Sequence, residues 1–321
     1  MGRKKNYYLT LDTETCTLPF ANELCKNEKQ KQTVAIAKPI VYDIGWTICD
    51  RQGNIIKRAS YLVQESFFSH IFETAYYKNK RPIYMDRLAN GLIKTSNWND
   101  IIDELIEDLS FVEIACAYNA CFDFKKAIPF TERWIKAFYS TTYDEWLTVQ
   151  KEKCERLLTD KNASKNDEYM EPFLRLREKT YPIVDLWGLA CEKLVNQKKY
   201  KNFCLDNNLL TSSGLYFKSS AETTFQFLLN QPDFEEEHTA LSDAEIETEI
   251  LLKLLKKGKI EPSIIAFPFR ELGYTYEYAL ASKKEHYIDT CIEAIVNYLE
   301  NNNPSNMYIT RLENILCRLG Y

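Results

Sequence analysis

Apolar and polar positions change period several times along this chain, and each change predicts an element. Tyr7–Leu11 is a short apolar run of strand character. Residues 17–38, with the charge run KNEKQKQ, read as a long loop. The apolar, β-branched run PIVYDIGWTICD (39–50), the turn RQGN and the alternating run IIKRASYLV (55–63) together predict a β-hairpin. Residues 66–96 are mixed and predict helical pieces. In NWNDIIDELIEDL (97–109), Trp98, Ile101, Ile102, Leu105 and Leu109 recur at helical spacing behind Asn97 as N-cap. FVEIACAY (111–118) predicts a buried strand, and NACFDFKKAI then begins another helix.

The rhythm breaks over 139–180, where a helical stretch, Asp144–Leu158, precedes the polar TDKNASKNDE; this predicts an inserted, partly mobile excursion. YPIVDLWGLACEKLV (181–195) reads as strand into helix, and SAETTFQFLLN (220–230) as a helix capped by Ser219 or Ser220. HTALSDAEIETEILLKLLKKGK (238–259) predicts a long amphipathic helix ending in lysines, which suits the helix dipole. Two more helices are expected at 287–300 and 305–319. Three antiparallel strands, then helix–strand–helix, then strand–helix, predict an α/β fold with a mixed central sheet flanked by helices. Acids ending the first strand would lie at a sheet edge or crevice, where such folds place ligands.

Composition narrows the function classes. The chain has 321 residues and a net charge of −5, so any nucleic-acid contact must be local or bridged by metal. None of its 10 cysteines forms a C-x-x-C pair and there are only 3 histidines, which disfavours structural zinc. MGRKKNYYL contains no signal-peptide core, and no apolar stretch nears the ~20 residues of a membrane span. The expectation is a reduced, cytoplasmic protein without a membrane partner. The weight of Lys, Asn, Ile and Tyr fits AT-rich coding, and hence a bacterial or phage-infected cell.

Three stretches carry candidate chemistry. On a strand, residues i and i+2 share a face, so Asp12 and Glu14 in LTLDTET point the same way, and two such carboxylates repel unless a cation or proton lies between them. In YNACFD, Asp123 opens a helix after a buried strand. In HTALSDA, His238 stands five residues before Asp243 at the front of a helix; Asp243 is drawn inward by Leu241, Ala244 and Ile246, and an imidazole takes a proton near neutral pH. Taken singly, each has an ordinary structural explanation: a solvated strand end, a helix-start acid, a capping histidine.

In this order and context, Asp12-x-Glu14, Asp123 and His238-x(4)-Asp243 resemble the three motifs of the DEDDh 3′→5′ exonucleases, a family that includes the proofreading epsilon subunit of bacterial DNA polymerase III, RNase T and oligoribonuclease. The resemblance spans roughly 6–257 and implies a ribonuclease H-like fold: an exonuclease domain over 1–259, with insertions near 17–38 and 139–180, and a helical appendage over 260–321. It implies that Asp12, Glu14, Asp123 and Asp243 hold two Mg²⁺ or Mn²⁺ ions, that His238 is the general base, and that single-stranded DNA or RNA 3′ ends are degraded to nucleoside 5′-monophosphates. By the same analogy Thr15 and Leu18 touch the terminal nucleotide and Asn119 supports the site. Phe122 and Phe124 read as core, and Glu235–Glu237 as a solvated cap. Two departures affect substrate geometry: Cys16-Thr17 stands where the family often has Thr-Gly, and Tyr118 precedes the Asn of the second motif. A polymerase or a second copy of the chain are the partners considered for 260–321. A catalytically idle nuclease fold used for binding is the rival reading.

Overall fold

The computed structural model describes residues 7–159, 171–264 and 273–321. Seven strands form one sheet, in the order β4-β3-β2-β1-β5-β7-β6. They are β1 (Tyr7–Cys16), β2 (Ile40–Asp50), β3 (Ile55–Val63), β4 (Lys94–Ser96), β5 (Ile114–Ala117), β6 (Phe173–Leu176) and β7 (Lys179–Asp185). β1, β2 and β3 pair antiparallel, whereas β5 joins β1, β7 joins β5 and β4 joins β3 in parallel. β6 returns antiparallel on β7. An α/β chain with a mixed sheet is therefore observed.

The central position of β2 explains its unbroken apolar run, since ten of its eleven residues are buried. β3 lies nearer the edge and alternates half-buried with exposed positions at its start. α5 (Trp98–Phe111) is capped as expected, the Asn97 side chain accepting the Asp100 N–H. It covers one face of the sheet, where Trp46 Nε1 donates to Asp108 at 2.8 Å and Lys57 bridges Glu104 and Asp108.

The opposite face meets α12 (Ala240–Leu255), and small residues set how closely. Gly45 of β2, two residues from Asp43 and Thr47, lies under Ala240 and Leu241 with no room for a side chain. Ala240 and Ala244 are fully buried there. Three hydroxyls seal the contact: Thr47 Oγ1 lies 2.7 Å from Thr10 Oγ1 and 2.5 Å from Thr248 Oγ1, and Thr10 also bonds Thr248. Because Asp12 and Glu14 extend the Thr10 face of β1, this packing brings them to the front of α12.

Several expectations change. Residues 17–38 are not one long loop but carry α1 (Ala21–Leu24) and α2 (Glu28–Ala37). α2 escapes a periodicity reading because Val34 is its only fully buried side chain. The mixed stretch after β3 includes α3 (Gln64–Phe67), two 3₁₀ turns and α4 (Arg81–Ala89). The second motif runs through α6 (Ala120–Phe122) and a π-helical turn (Asp123–Ala127) into α7 (Ile128–Phe138), followed by α8 (Tyr143–Thr159) where the helical part of the excursion was expected. Most of TDKNASKNDE, from 160 onward, lies outside the described residues.

Among the described residues the remaining α-helices are α9 (Leu186–Ala190), continued by a π-helical turn (Cys191–Val195), α10 (Lys198–Asp206), α11 (Ala221–Leu229, capped by Ser220), α13 (Thr275–Ser282), α14 (Glu285–Asn301) and α15 (Asn306–Leu319). The chain divides into two compact units. One compact unit comprises 1–186 and 236–266, the other 187–235 and 267–321. Within the second, Tyr216 bridges to Tyr274, and an edge-to-face pair joins Tyr298 to Tyr308. None of the 10 cysteines forms a disulfide. Among the described residues no helix is long and apolar enough to cross a membrane.

Candidate active site

Four elements of the first unit bring acids together. β1 supplies Asp12 and Glu14 at its C-terminal end, where the pairing with β2 slips between Glu14 and Thr15. Such a bulge re-aims side chains and is frequent beside active sites. Glu14 is paired across the ladder with Asp43, a like-charged couple that is unfavourable unless a cation or proton intervenes.

Asp123 opens the π-helical turn after β5 and is only 2% exposed. The Thr13 hydroxyl donates to its Oδ1 at 2.6 Å. The turn before it relies on Asn119, left-handed at φ 72°, whose N–H donates to Asp185 Oδ1 at 3.2 Å.

Asp243 lies in the first turn of α12, whose entry is fastened from several sides. The Ala240 N–H donates to Asp43 Oδ2 at 2.9 Å, Arg87 donates to Thr239 Oγ1 at 2.9 Å and Lys80 to the Glu237 carbonyl at 2.6 Å. His238, at φ 52°, stacks on Tyr77 with ring centroids 4.6 Å apart. Its Nδ1 lies 3.9 Å from Asp243 Oδ2 and 3.7 Å from Glu236 Oε2. Glu14, His238 and Asp243 each offer a ligand atom within 4.8 Å of the other two.

The electrostatics tie Asp12 and Asp123 to this group. Burial, then Asp123, Asp243, Glu247 and Glu14, hold the Asp12 carboxyl well above the usual carboxylate range. Burial, Asp243 and Asp43 do the same to Glu14, with Lys80 pulling the other way. Burial pushes Asp243 up to about 7, reinforced by Asp43. It likewise pushes Asp123 to about 7 against the Thr13 hydrogen bond, and Asp43 to about 6 against the bond from Ala240.

The donor set is carboxylate oxygen with one imidazole, which suits hard divalent ions such as Mg²⁺ or Mn²⁺ rather than thiolate-seeking metals. Among the described residues the buried Asp243 Oδ1 and Glu247 Oε2 have no hydrogen-bond partner, as expected of atoms left for a cation. On both counts the residues fit such ions.

No protein-family model and no curated protein matches the chain.

Of the expected contacts, Thr15 borders an open groove beside the acids, and Asn119 shapes the turn before Asp123. Leu18 is corrected: it is fully buried in the core and presents no surface to a nucleotide. Phe124 is core as expected, and Phe122 packs against it partly buried. Glu237 pairs with Arg87 and is exposed, whereas Glu236 turns toward His238, so the run is not uniformly a solvated cap. Sequence reasoning passed over Asp43, Lys80, Tyr77 and Glu247. Two left a signal. Asp43 is a lone charge inside an apolar strand, and Glu247 follows Asp243 by one helical turn, which puts it on the same face.

A pH prediction follows. Asp123 and Asp243, ordinarily near 3.8, titrate near 7 in the folded chain, so between those values the ion-free fold holds protons that the unfolded chain has released. Their stabilising contribution is full below about pH 4 and is lost as pH rises through about 7. Chelator-treated protein should melt lower at about pH 8 than at about pH 5, by about 5 °C or more. Mn²⁺ should reverse much of that loss at the higher pH; a flat or rising melting profile would contradict the assignment.

Proposed function

We propose that the protein is a metal-dependent 3′→5′ exonuclease that trims single-stranded nucleic-acid ends to nucleoside 5′-monophosphates. The observation that carries the reading is the convergence of Asp12, Glu14, Asp123 and Asp243, from β1, the turn after β5 and the front of α12, with the His238 imidazole beside them. Those residues match the DEDDh motifs one for one. The strand order β3-β2-β1-β5-β7, antiparallel in its first three members and parallel in the last two, supports a ribonuclease H-like fold.

In this reading the four carboxylates would hold two Mg²⁺ or Mn²⁺ ions. When bound, these would acidify a water and neutralise charge developing on the phosphate and the leaving oxygen. His238, with Nδ1 turned toward the acids and its ring held by Tyr77, takes the proton of the attacking water. The water oxygen bonds to phosphorus, the bond from phosphorus to the 3′ oxygen of the preceding nucleotide breaks, that oxygen takes a proton from solvent to become the new 3′-hydroxyl, and the terminal nucleotide leaves with its 5′-phosphate. Lys80, beside Glu14 and Asp243, offsets part of the negative field at the entry to α12.

A 5′-labelled single-stranded oligonucleotide incubated with Mg²⁺ or Mn²⁺ should give a ladder shortening from the 3′ end, and circular single strands should resist. Absence of cleavage of both DNA and RNA with either ion would end the enzymatic reading; cutting of the circle would replace it with an endonuclease.

A further inference from the structure

A groove of about 1070 Å³ opens beside the acids. Its wall includes Thr15, the residue after Glu14, and Tyr77, the ring stacked on His238. α1 and α2, the elements built from residues 17–38, also line it. We propose that this groove carries the single strand upstream of the scissile bond, with Tyr76 as the face on which a base stacks and Lys29 and Lys78 as phosphate contacts. The inference rests on the nuclease reading above and adds the path of the substrate.

Three observations support it. Tyr76 is 85% exposed, yet Tyr77 holds it edge to face at 4.8 Å, so an aromatic face is presented to solvent in a fixed direction. Base stacking on such a face tolerates any base and requires the bases to be unpaired.

The charges in the wall are sorted as well. Glu28 is paired with Lys31 at 3.0 Å and Glu73 with Arg81 at 3.3 Å, while Lys29 and Lys78 make no ion pair among the described residues. In a chain of net charge −5, two ammonium groups on the groove wall without an ion pair supply local attraction for phosphates. The volume, finally, lies just above the ~300–1,000 Å³ of a pocket for a drug-sized ligand, which suits more than one nucleotide.

The test is equilibrium binding of fluorescein-labelled DNA and RNA strands of about ten nucleotides, measured in Ca²⁺. Tyr76→Ala should weaken binding about tenfold, the scale of one lost base stack, with an unchanged thermal midpoint. Lys29→Gln with Lys78→Gln should reduce the slope of log affinity against log salt by about 1.4, from two contacts at about 0.7 each. Wild-type protein that fails to bind the strand, unaltered binding in these variants, or equal binding of a blunt duplex would overturn the proposal. Hydrolysis is read separately. Binding that depends on Tyr76 without any 3′ ladder would sink the nuclease reading and leave the groove assignment standing.

Discussion

Replacement of His238 by Ala is expected to slow hydrolysis of a single-stranded oligonucleotide by about 10²-fold or more at saturating Mn²⁺, the usual scale for a lost general base. Its ring is held face to face with Tyr77, and its Nδ1 stands 3.9 Å from Asp243. The backbone that carries it is held too, by Tyr84 donating to the His238 carbonyl at 3.5 Å and by Lys80 donating to the carbonyl before it at 2.6 Å. An imidazole so placed can act in two ways. As a base it receives a proton, and its removal lowers turnover while Mn²⁺ still binds. As a ligand it would belong to the set with Glu14 and Asp243, and its removal should weaken Mn²⁺ binding as Glu14→Gln should. Calorimetric titration of Mn²⁺ separates the two. The base assignment expects a dissociation constant within about threefold of wild type, under 1 kcal/mol. Turnover equal to wild type would remove His238 from the mechanism.

The sequence made the sheet legible where a single periodicity governs a whole element. β2 is apolar because it is central, β3 alternates because it is half open, and the caps Asn97 and Ser220 stand where their helices begin. The motif acids were legible for a chemical reason, since Asp12 and Glu14 on one strand face need a cation or proton between them. Elements that depend on partners far along the chain were not. α2 buries one side chain completely, so its pattern is that of a charged loop, yet it forms a wall of the groove. β6 is four residues long and is defined by its antiparallel pairing with β7. The grouping of 187–235 with 267–321 rests on pairings such as Tyr216 with Tyr274, which no local pattern contains. Leu18 shows the limit of analogy: adjacency to the motif suggested a substrate contact, and the burial of its side chain puts it in the core.

Gly45→Ala should be the most damaging single-methyl change in the first unit. A Cβ at this position would lie within 3.0 Å of the backbone of both Ala240 and Leu241. Backbone atoms cannot swing aside as a side chain can, so either β2 must bend or the first turn of α12 must lift. β2 is pinned on both sides, with Gly45 opposite Asp12 on one neighbour and Ser60 on the other. α12 is pinned through Ala240 to Asp43 and through Thr248 to Thr10 and Thr47. Relief by small shifts is therefore blocked, and overpacking of this kind costs about 3 kcal/mol or more. The thermal midpoint should fall by roughly 10 °C, if the protein folds at all. Gly53→Ala is the control. Gly53 lies at φ +96° in the β2–β3 turn, where an added methyl meets a flexible Leu252 side chain at 3.1 Å. It pays mainly the left-handed penalty of about 1–2 kcal/mol. If Gly45→Ala folds, the lifted turn carries Asp243 and His238 away from Asp12 and Glu14, so Mn²⁺ binding should weaken together with stability; in Gly53→Ala it should not. A Gly45→Ala protein that melts with wild type and binds Mn²⁺ equally well would show that the front of α12 does not lie against β2 in this way, and the convergence of the four acids would lose its structural basis.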